Sequence, residues 1–263
     1  MLQYIFHGLF AIVTAISLII SGPNLIEKEK KASQPTFSIG YTAPAKQVKK
    51  LPIFSVDTPE KKAAITLNAA WGADDTDILL DILERNGVLA TFFFCGTWVD
   101  EFPEQLKKFA EAGHDIANHG DTHAHVAQLD LANNIKEILN CHDKIKAVTG
   151  IAPNLYRPAY GEFNDTVLTA AEGLNYYTIQ WDVDSLDWKG KGADYEIDRV
   201  LNSKHLKNGS IILFHNDAKY TPQTLEVIIK GLQEKGYELV PVSQLIYTEN
   251  YEIDHAGRQS LKE

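Results

Sequence analysis

The histidines of the stretch NHGDTHAH, residues 118–125, are the first candidates for chemistry in this sequence. His119 and His123 stand four positions apart, the spacing that places two imidazoles on one side of a helical turn. Neutral imidazole nitrogens are common ligands of zinc and of similar divalent metals. An isolated pair with this spacing fits a solvated polar loop equally well, so the interpretation as a metal site depends on which residues lie near it.

Further reactive or charged side chains come directly after short apolar runs of the chain. They are Asn68, Arg157, Asp182, Asp184, Asp187, Trp188 and His215. Each of them alone has an ordinary structural role, such as a surface ion pair or the cap of a turn. A cation, a carboxylate and a further imidazole that reach the same place as a histidine pair are hard to dismiss as coincidence, and they favour an active site there.

The elements that carry these residues alternate between apolar runs and helical patterns. The apolar runs are 63–67, 90–95, 114–118, 154–156, 176–181, 210–214 and 237–242. Amphipathic helices are predicted near 76–86, 103–112 and 130–147. Such an alternation favours a parallel sheet covered by helices. Seven units without a glycine-rich dinucleotide motif predict an α/β fold, an incomplete or distorted (β/α) barrel, whose active site lies at the carboxyl ends of the strands.

Composition limits the class of protein without identifying it. The chain has 263 residues, 44% of them hydrophobic and 23% charged, which is typical of a globular protein. The formal net charge is −10 and no basic face is evident, so a nucleic-acid partner is not expected. The two cysteines, Cys95 and Cys141, lie in an apolar run and an amphipathic helix, which favours buried thiols, although a disulfide stays open.

The two ends of the chain differ from its middle. Residues 1–22 are almost wholly apolar and long enough to cross a bilayer, so we expect a membrane anchor or a signal segment there. Residues 23–57 are rich in Pro, Lys and Ser and are predicted to form a flexible tether. The folded domain is predicted at 58–248, followed by a polar tail at 249–263. The lysines after the apolar segment, taken alone, favour a cytoplasmic location for the chain that follows.

Four motifs occur in an order that resembles a known family. They are NHGDTHAH (118–125), RPAYG (157–161), DVDSLDW (182–188) and ILFH (212–215). In this order they are similar to the motifs of the polysaccharide deacetylases, the NodB-homology domain of carbohydrate esterase family 4. The resemblance implies a distorted β/α barrel and the removal of acetyl groups from N-acetylated glycans such as peptidoglycan or chitin. Because such substrates lie mostly outside the cytoplasm, it also favours an exported domain.

The resemblance implies a role for most of these side chains. His119 and His123 would be ligands of a divalent metal, commonly zinc. His215 would be the general acid that protonates the departing sugar amine, and Asp187 the carboxylate that orients it. Arg157 would hold the catalytic base.

Two aromatic side chains complete the assignment. Tyr160 and Trp188 resemble parts of the pocket wall that binds the substrate. His125 has no matching role and is interpreted as a loop residue.

The first motif departs from the family. The family pattern is Thr-Phe-Asp-Asp-Gly, in which the first Asp is the base and the second a metal ligand. This chain has Asn68 at the base position and Ala69 at the ligand position, followed by Trp71 and Gly72. An amide cannot take a proton from water at neutral pH, and a methyl group cannot bind a metal. A related branch, which includes sporulation-associated members, also has AWG or SWG at this point, but after an Asp.

Two acidic residues and two functions remain open. Asp74 or Asp75 could supply a third metal ligand, but residues of this type at a helix start more often cap it. The first function is a metal-dependent deacetylase of an N-acetylated cell-wall glycan that works slowly because of Asn68. The alternative is a catalytically silent glycan-binding or regulatory relative with the same fold.

Overall fold

The structure is a computed structural model that describes residues 50–262. The predicted segment 1–22 and residues 23–49 of the predicted tether lie outside this range. Within it, no helix is both long and apolar enough to cross a membrane.

Eleven strands form one mixed sheet in the part of the chain that the structure describes. They are β1 (Ser55–Val56), β2 (Lys62–Ala69), β3 (Thr91–Phe94), β4 (Asp115–Asn118), β5 (Leu155–Tyr156), β6 (Tyr177–Thr178), β7 (Val183–Asp184), β8 (Ser210–His215), β9 (Glu238–Leu239), β10 (Tyr251–Ile253) and β11 (Arg258–Leu261). Their order is β10-β11-β1-β8-β2-β3-β4-β5-β6, with β7 beside β8 and β9 beside β2. All seven predicted strands are present, and β8 through β6 run parallel, as the apolar runs predicted.

Eight helices connect and cover these strands within the described residues. They are α1 (Thr76–Arg85), α2 (Gly96–Glu101), α3 (Pro103–Glu111), α4 (Leu131–Thr149), α5 (Asp165–Gly173), α6 (Ala193–Leu201), α7 (Thr221–Glu234) and α8 (Val242–Leu245). The predicted helices correspond to α1, α3 and α4. Helix α4 begins where the Asp130 carboxylate accepts a hydrogen bond of 2.8 Å from Asn133 N and ends at Gly150 in the left-handed conformation.

The core explains why the central strands are continuously apolar. Phe92 and Phe94 of β3 pack on Phe109 of α3, while Phe93 belongs to a second apolar cluster on the other face of the sheet. A strand that is covered on both faces needs apolar residues at successive positions. Cys95 and Cys141 are buried and free, so the interpretation as buried thiols is confirmed.

The folded unit extends beyond the predicted boundaries of 58 and 248. Ile53 closes the sheet at β6, because its N–H donates to Thr178 O at 2.8 Å and its carbonyl accepts from Gln180 N at 2.7 Å. At the other end, β10 and β11 form an antiparallel hairpin, and β11 pairs with β1. The polar-tail prediction is wrong here because Gln259, a polar residue, is fully buried with its amide bonded to Tyr247 N and O.

Candidate active site

A cavity of about 410 Å³ opens where the parallel strands end. Its walls come from residues Asn68, Trp71, His119, His123, Tyr160, Gly161, Trp181, Asp184, Trp188, Leu213 and His215. Six of the eight side chains to which the resemblance assigned a position in the site are among them. The other two, Arg157 and Asp187, are fully buried behind the wall and contact Asn68 and His215, respectively.

The two histidines of the first motif face each other across a loop. His119 follows β4 directly, and the ring centroids of His119 and His123 are 5.1 Å apart. The expected helical turn is wrong, because Gly120 and His123 have φ angles of +84° and +55°, which a right-handed helix excludes. The HxxxH spacing therefore brings the rings together through a turn of the loop.

The state of these rings suits a metal ligand. His119 Nδ1 lies 2.6 Å from the carbonyl oxygen of Arg157, which can only accept, so Nδ1 carries the proton and Nε2 is the free nitrogen. Burial lowers the pKa of His119 well below its ordinary value and also lowers the pKa of His123. Both imidazoles are therefore neutral at neutral pH.

A third ligand is missing near the pair. Ala69 is buried at the position where the family has its carboxylate, and no group of three His, Cys, Asp or Glu residues within 50–262 is arranged to hold a metal. Asp74 and Asp75 do not line the cavity. The side chains present therefore fit two positions of a metal site and leave the remaining positions without a protein ligand.

Asp75 has neither of its two expected roles. It stands at the N-cap of α1, but its side chain makes no capping hydrogen bond. Instead, Oδ2 accepts a hydrogen bond of 2.7 Å from Asp217 N, while Oδ1 is buried without a partner among the described residues. Burial raises the pKa of Asp75 to about 6. This carboxylate joins the loop after β2 to the loop after β8.

Asn68 is held by a buried cation. Arg157 Nη1 donates to Asn68 Oδ1 at 3.0 Å, and Nη2 donates to Gln180 O at 3.2 Å. The guanidinium lies 4.0 Å from the centroid of the Phe93 ring, and burial lowers its pKa to about 9. Because Oδ1 is taken by Arg157, the Asn68 amide offers the cavity an N–H donor where the family has a proton acceptor.

The side chain of His215, by contrast, has a complete set of hydrogen-bond partners behind it. His215 ends β8, and its Nδ1 donates to Asp187 Oδ1 at 2.8 Å. The second oxygen of Asp187 accepts from His215 N at 2.6 Å and from Thr221 Oγ1 at 3.0 Å. With Nδ1 held in this way, Nε2 is the nitrogen of His215 that is left for a ligand. Sequence analysis missed Thr221, because this residue at the start of α7 belongs to none of the four motifs.

The other two acidic residues of the DVDSLDW motif have different environments. Asp182 accepts hydrogen bonds of 3.0 and 3.2 Å from Ile211 N and Ser210 Oγ, which joins the residue before β7 to β8 and is a structural role. Asp184 lines the cavity, and burial raises the pKa of its carboxyl.

Exposed aromatic side chains surround the mouth of the cavity. Tyr160 and Trp188 are both exposed there, as expected for pocket-wall residues. His125 stacks on the Tyr160 ring with centroids 4.3 Å apart and bonds to Glu162 at 2.8 Å, so it supports the wall. Trp71 was not selected from the sequence, although a large aromatic side chain directly after the first motif is a usable signal.

Comparison with known proteins agrees with the resemblance. The polysaccharide deacetylase profile matches residues 55–179. The peptidoglycan-N-acetylglucosamine deacetylase of Bacillus cereus is 32% identical over 201 residues, which cover 74% of this chain and 72% of that protein. The uncharacterized protein YlxY of Bacillus subtilis is 31% identical over 195 residues, which cover 74% of this chain and only 60% of YlxY.

A solved structure from the same family is also similar. BA3943 of Bacillus anthracis, described as a pseudoenzyme of carbohydrate esterase family 4, superposes with a TM-score of 0.72 at 28% identity, covering 81% of this chain and 73% of BA3943. A mutant of BA3943 described as having restored enzymatic activity gives the same TM-score at 30% identity, covering 75% and 72%. This chain belongs to the polysaccharide deacetylase family.

Proposed function

We propose that this protein binds an N-acetylated cell-wall glycan, peptidoglycan-like or chitin-like, and removes its acetyl groups slowly. The observation that carries the proposal is the complete hydrogen-bond network of His215, Asp187 and Thr221 at the wall of a cavity that also holds the His119–His123 pair. A protein that only binds a glycan has little need for a buried carboxylate that fixes one tautomer of an imidazole facing its pocket.

In this reaction the C–N bond of the acetamide breaks, water supplies the hydroxyl of acetate, and the sugar nitrogen gains a proton. We assign that proton transfer to His215 Nε2, because Asp187 occupies Nδ1. His119 and His123 would hold the divalent metal, zinc by resemblance, and the chemistry that it supplies is polarisation of the acetyl carbonyl.

Slow turnover follows from Asn68. The amide cannot take the proton of the attacking water, and general-base assistance is typically worth about 10²–10⁴-fold in rate. Asn68 Oδ1 is also engaged by Arg157, so it cannot reorient toward the water without losing that hydrogen bond.

A second candidate is a silent glycan-binding protein. The observation that favours it is the absence of a carboxylate at both 68 and 69, together with the similarity to BA3943, a protein described as a pseudoenzyme. In that case the cavity binds an acetylated sugar and the acid network has no turnover to support.

The location proposed for this activity is outside the cytoplasm. The relative from Bacillus cereus is named for peptidoglycan, which is an extracytoplasmic polymer. We propose that the segment 1–22 exports the domain and, if uncleaved, anchors it to the membrane.

Acetate release by the purified protein, measured with added zinc on peptidoglycan and on an N-acetylglucosamine tetramer, separates the two candidates. The slow enzyme releases acetate above the level of a His215→Ala variant. Binding of the tetramer with no difference between these two proteins identifies the silent binder, and no binding of either glycan contradicts both.

A further inference from the structure

The indole of Trp71 faces the cavity next to His215, the proposed general acid. Its side chain is 46% exposed and lines the cavity wall. The indole lies nearly parallel to the His215 ring, with centroids 5.8 Å apart and an angle of 15° between the planes. It also meets the edge of His123, with centroids 6.1 Å apart. Trp71 therefore lies next to both imidazoles that we assign to different parts of the reaction.

Four contacts hold the backbone that carries this indole. Asn216 Nδ2 donates to Trp71 O at 3.0 Å and to Gly72 O at 2.7 Å. Trp98 Nε1 also donates to Gly72 O, at 2.5 Å, and Asp217 N donates to Asp75 Oδ2 at 2.7 Å. Asn216 and Trp98 are both almost completely buried, so the loop rests on the core.

Glycine at position 72 suits the backbone after Trp71. Gly72 has a φ angle of +55°, and a Cβ at this position would lie 2.0 Å from Asp217 Oδ2. The tight turn lets the loop pass close to the segment after β8 and directs the preceding side chain toward the cavity wall. An exposed indole on a fixed backbone loses little conformational entropy when a ligand covers it.

We propose that Trp71 is a sugar-stacking residue that binds the apolar C–H face of a pyranose ring next to His215. The inference rests on the proposed function, because a glycan is the ligand that brings such a ring into the cavity. A pyranose ring has polar edges and an apolar face, and an exposed indole is the side chain that buries such a face over a large area. Together with Tyr160 and Trp188 it gives the cavity three exposed aromatic surfaces.

A competing role is that the indole covers His215 and excludes a ligand. The exposed fractions argue against it, because the His215 side chain retains 12% of its surface although the two rings are nearly parallel. Ring centroids 5.8 Å apart are an offset arrangement, which leaves part of each face open.

The test is the affinity for the linear tetramer of β-1,4-linked N-acetylglucosamine, measured by calorimetry on the full chain with a chelator present. Trp71→Ala is expected to raise the dissociation constant of the tetramer by about tenfold or more. Trp71→Phe keeps a flat apolar face, so its increase in the dissociation constant is expected to be less than half as large on a logarithmic scale. Ile78→Ala is the matched control, because Ile78 is similarly exposed on α1 and lies outside the cavity. We expect it to bind as the wild type does.

The outcomes separate this inference from the function on which it rests. Wild-type affinity in Trp71→Ala, with its unfolding temperature retained, overturns the stacking role and leaves the proposed function intact. Tighter binding by Trp71→Ala also overturns it and identifies a cover over His215. A wild type that binds no tetramer overturns both proposals. If Trp71→Ala does not fold, the comparison of Trp71→Phe with a Trp71→Leu variant decides, and equal affinities of the two contradict stacking.

Discussion

Arg157 and Asn68 are joined by a hydrogen bond of 3.0 Å between Nη1 and Oδ1, although both belong to a site where the family pairs arginine with a carboxylate. The guanidinium is fully buried, and within residues 50–262 it donates to two neutral acceptors, Asn68 Oδ1 and Gln180 O. Burial of a cation is unfavourable, and it lowers the pKa of Arg157 to about 9 although the charge of the Asp184 carboxylate acts in the opposite direction. The environment that would hold an ionised Asp at position 68 is therefore already built.

Metal binding is predicted to depend on the histidine pair and to be weak. We expect His119→Ala with His123→Ala to abolish zinc binding measured by calorimetry, because the described residues contain no group of three His, Cys, Asp or Glu residues that could hold the metal instead. His125→Ala is the control, since its ring stacks on Tyr160 and bonds to Glu162 instead. Stoichiometric zinc in the double variant would remove the pair as ligands.

The role of Asp187 in orienting His215 can be tested in a variant that has deacetylase activity. In a variant with Asn68→Asp and Ala69→Asp, adding Asp187→Asn is expected to lower acetate release by about 10²–10⁴-fold, because the amide can stabilise the wrong tautomer of His215. Asp182→Asn is the matched control from the same motif, since Asp182 bonds to Ser210 and Ile211. Equal losses of acetate release in the two variants would indicate that both aspartates support activity only by stabilising the fold.

Much of this site was predictable because sequence order and strand ends determine it. Parallel apolar strands bring the residues that follow them to one edge, so Asn68, His119 and His215 can be grouped from the amino-acid sequence alone. The local path of the chain was not predictable, because the left-handed conformation of His123 depends on its surroundings. The role of Asp75 depends on Asp217, which lies 142 residues further along the chain.

The predicted boundaries of the folded domain, residues 58 and 248, were wrong for a related reason. Ile53 lies at the end of a segment rich in Pro and Lys, and Gln259 lies in a polar segment, so composition did not indicate a folded structure there. Both residues are buried because distant parts of the chain supply their hydrogen-bond partners. Trp71 shows the same limit at the site. Its type and position are visible in the sequence, but its stacking on His215 occurs on a loop that Asn216 holds from a distant part of the chain.

Asp75 predicts a pH-dependent contribution to stability. Because burial raises its pKa from 3.8 to about 6, the folded state favours the protonated carboxyl. The stability that this provides is fully present below about pH 4 and is lost as the pH rises through about 6. We expect Asp75→Asn, which has no proton to lose, to raise the free energy of unfolding at pH 7 by about 1–2 kcal/mol and to leave it unchanged at about pH 3.5.

Urea denaturation at the two pH values measures this effect. Asp74→Asn is the control, because Asp74 is exposed and makes no such buried contact. A stability gain by Asp75→Asn that is the same at both pH values would show that ionisation is not its cause.

Because β1 belongs to the folded domain, two glycines are predicted to differ in the stability that is lost when each is replaced by Ala. Gly209 and Gly150 have φ angles of +78° and +75°, but a Cβ on Gly209 would lie 1.9 Å from Val56 O of β1, whereas nothing lies within 4 Å of one on Gly150. Replacement by Ala should cost about 1 kcal/mol at Gly150 and at least about 2 kcal/mol more at Gly209, where β1 has to move. Equal losses in urea denaturation would show that β1 contributes little to the fold.

The central claim is that this chain has the acid part of a deacetylase site and lacks the base and one ligand. The measurement that tests it most directly is acetate release from an N-acetylglucosamine tetramer, with added zinc, by the wild type, by Asn68→Asp and by Asn68→Asp with Ala69→Asp. We predict a gain of about 10²-fold or more for Asn68→Asp and a larger gain for the double variant, because Arg157 keeps the new carboxylate ionised and Asp at 69 completes the ligands. A wild type as fast as its active relatives, or a double variant that binds zinc and tetramer but releases no more acetate than the wild type, would contradict the account.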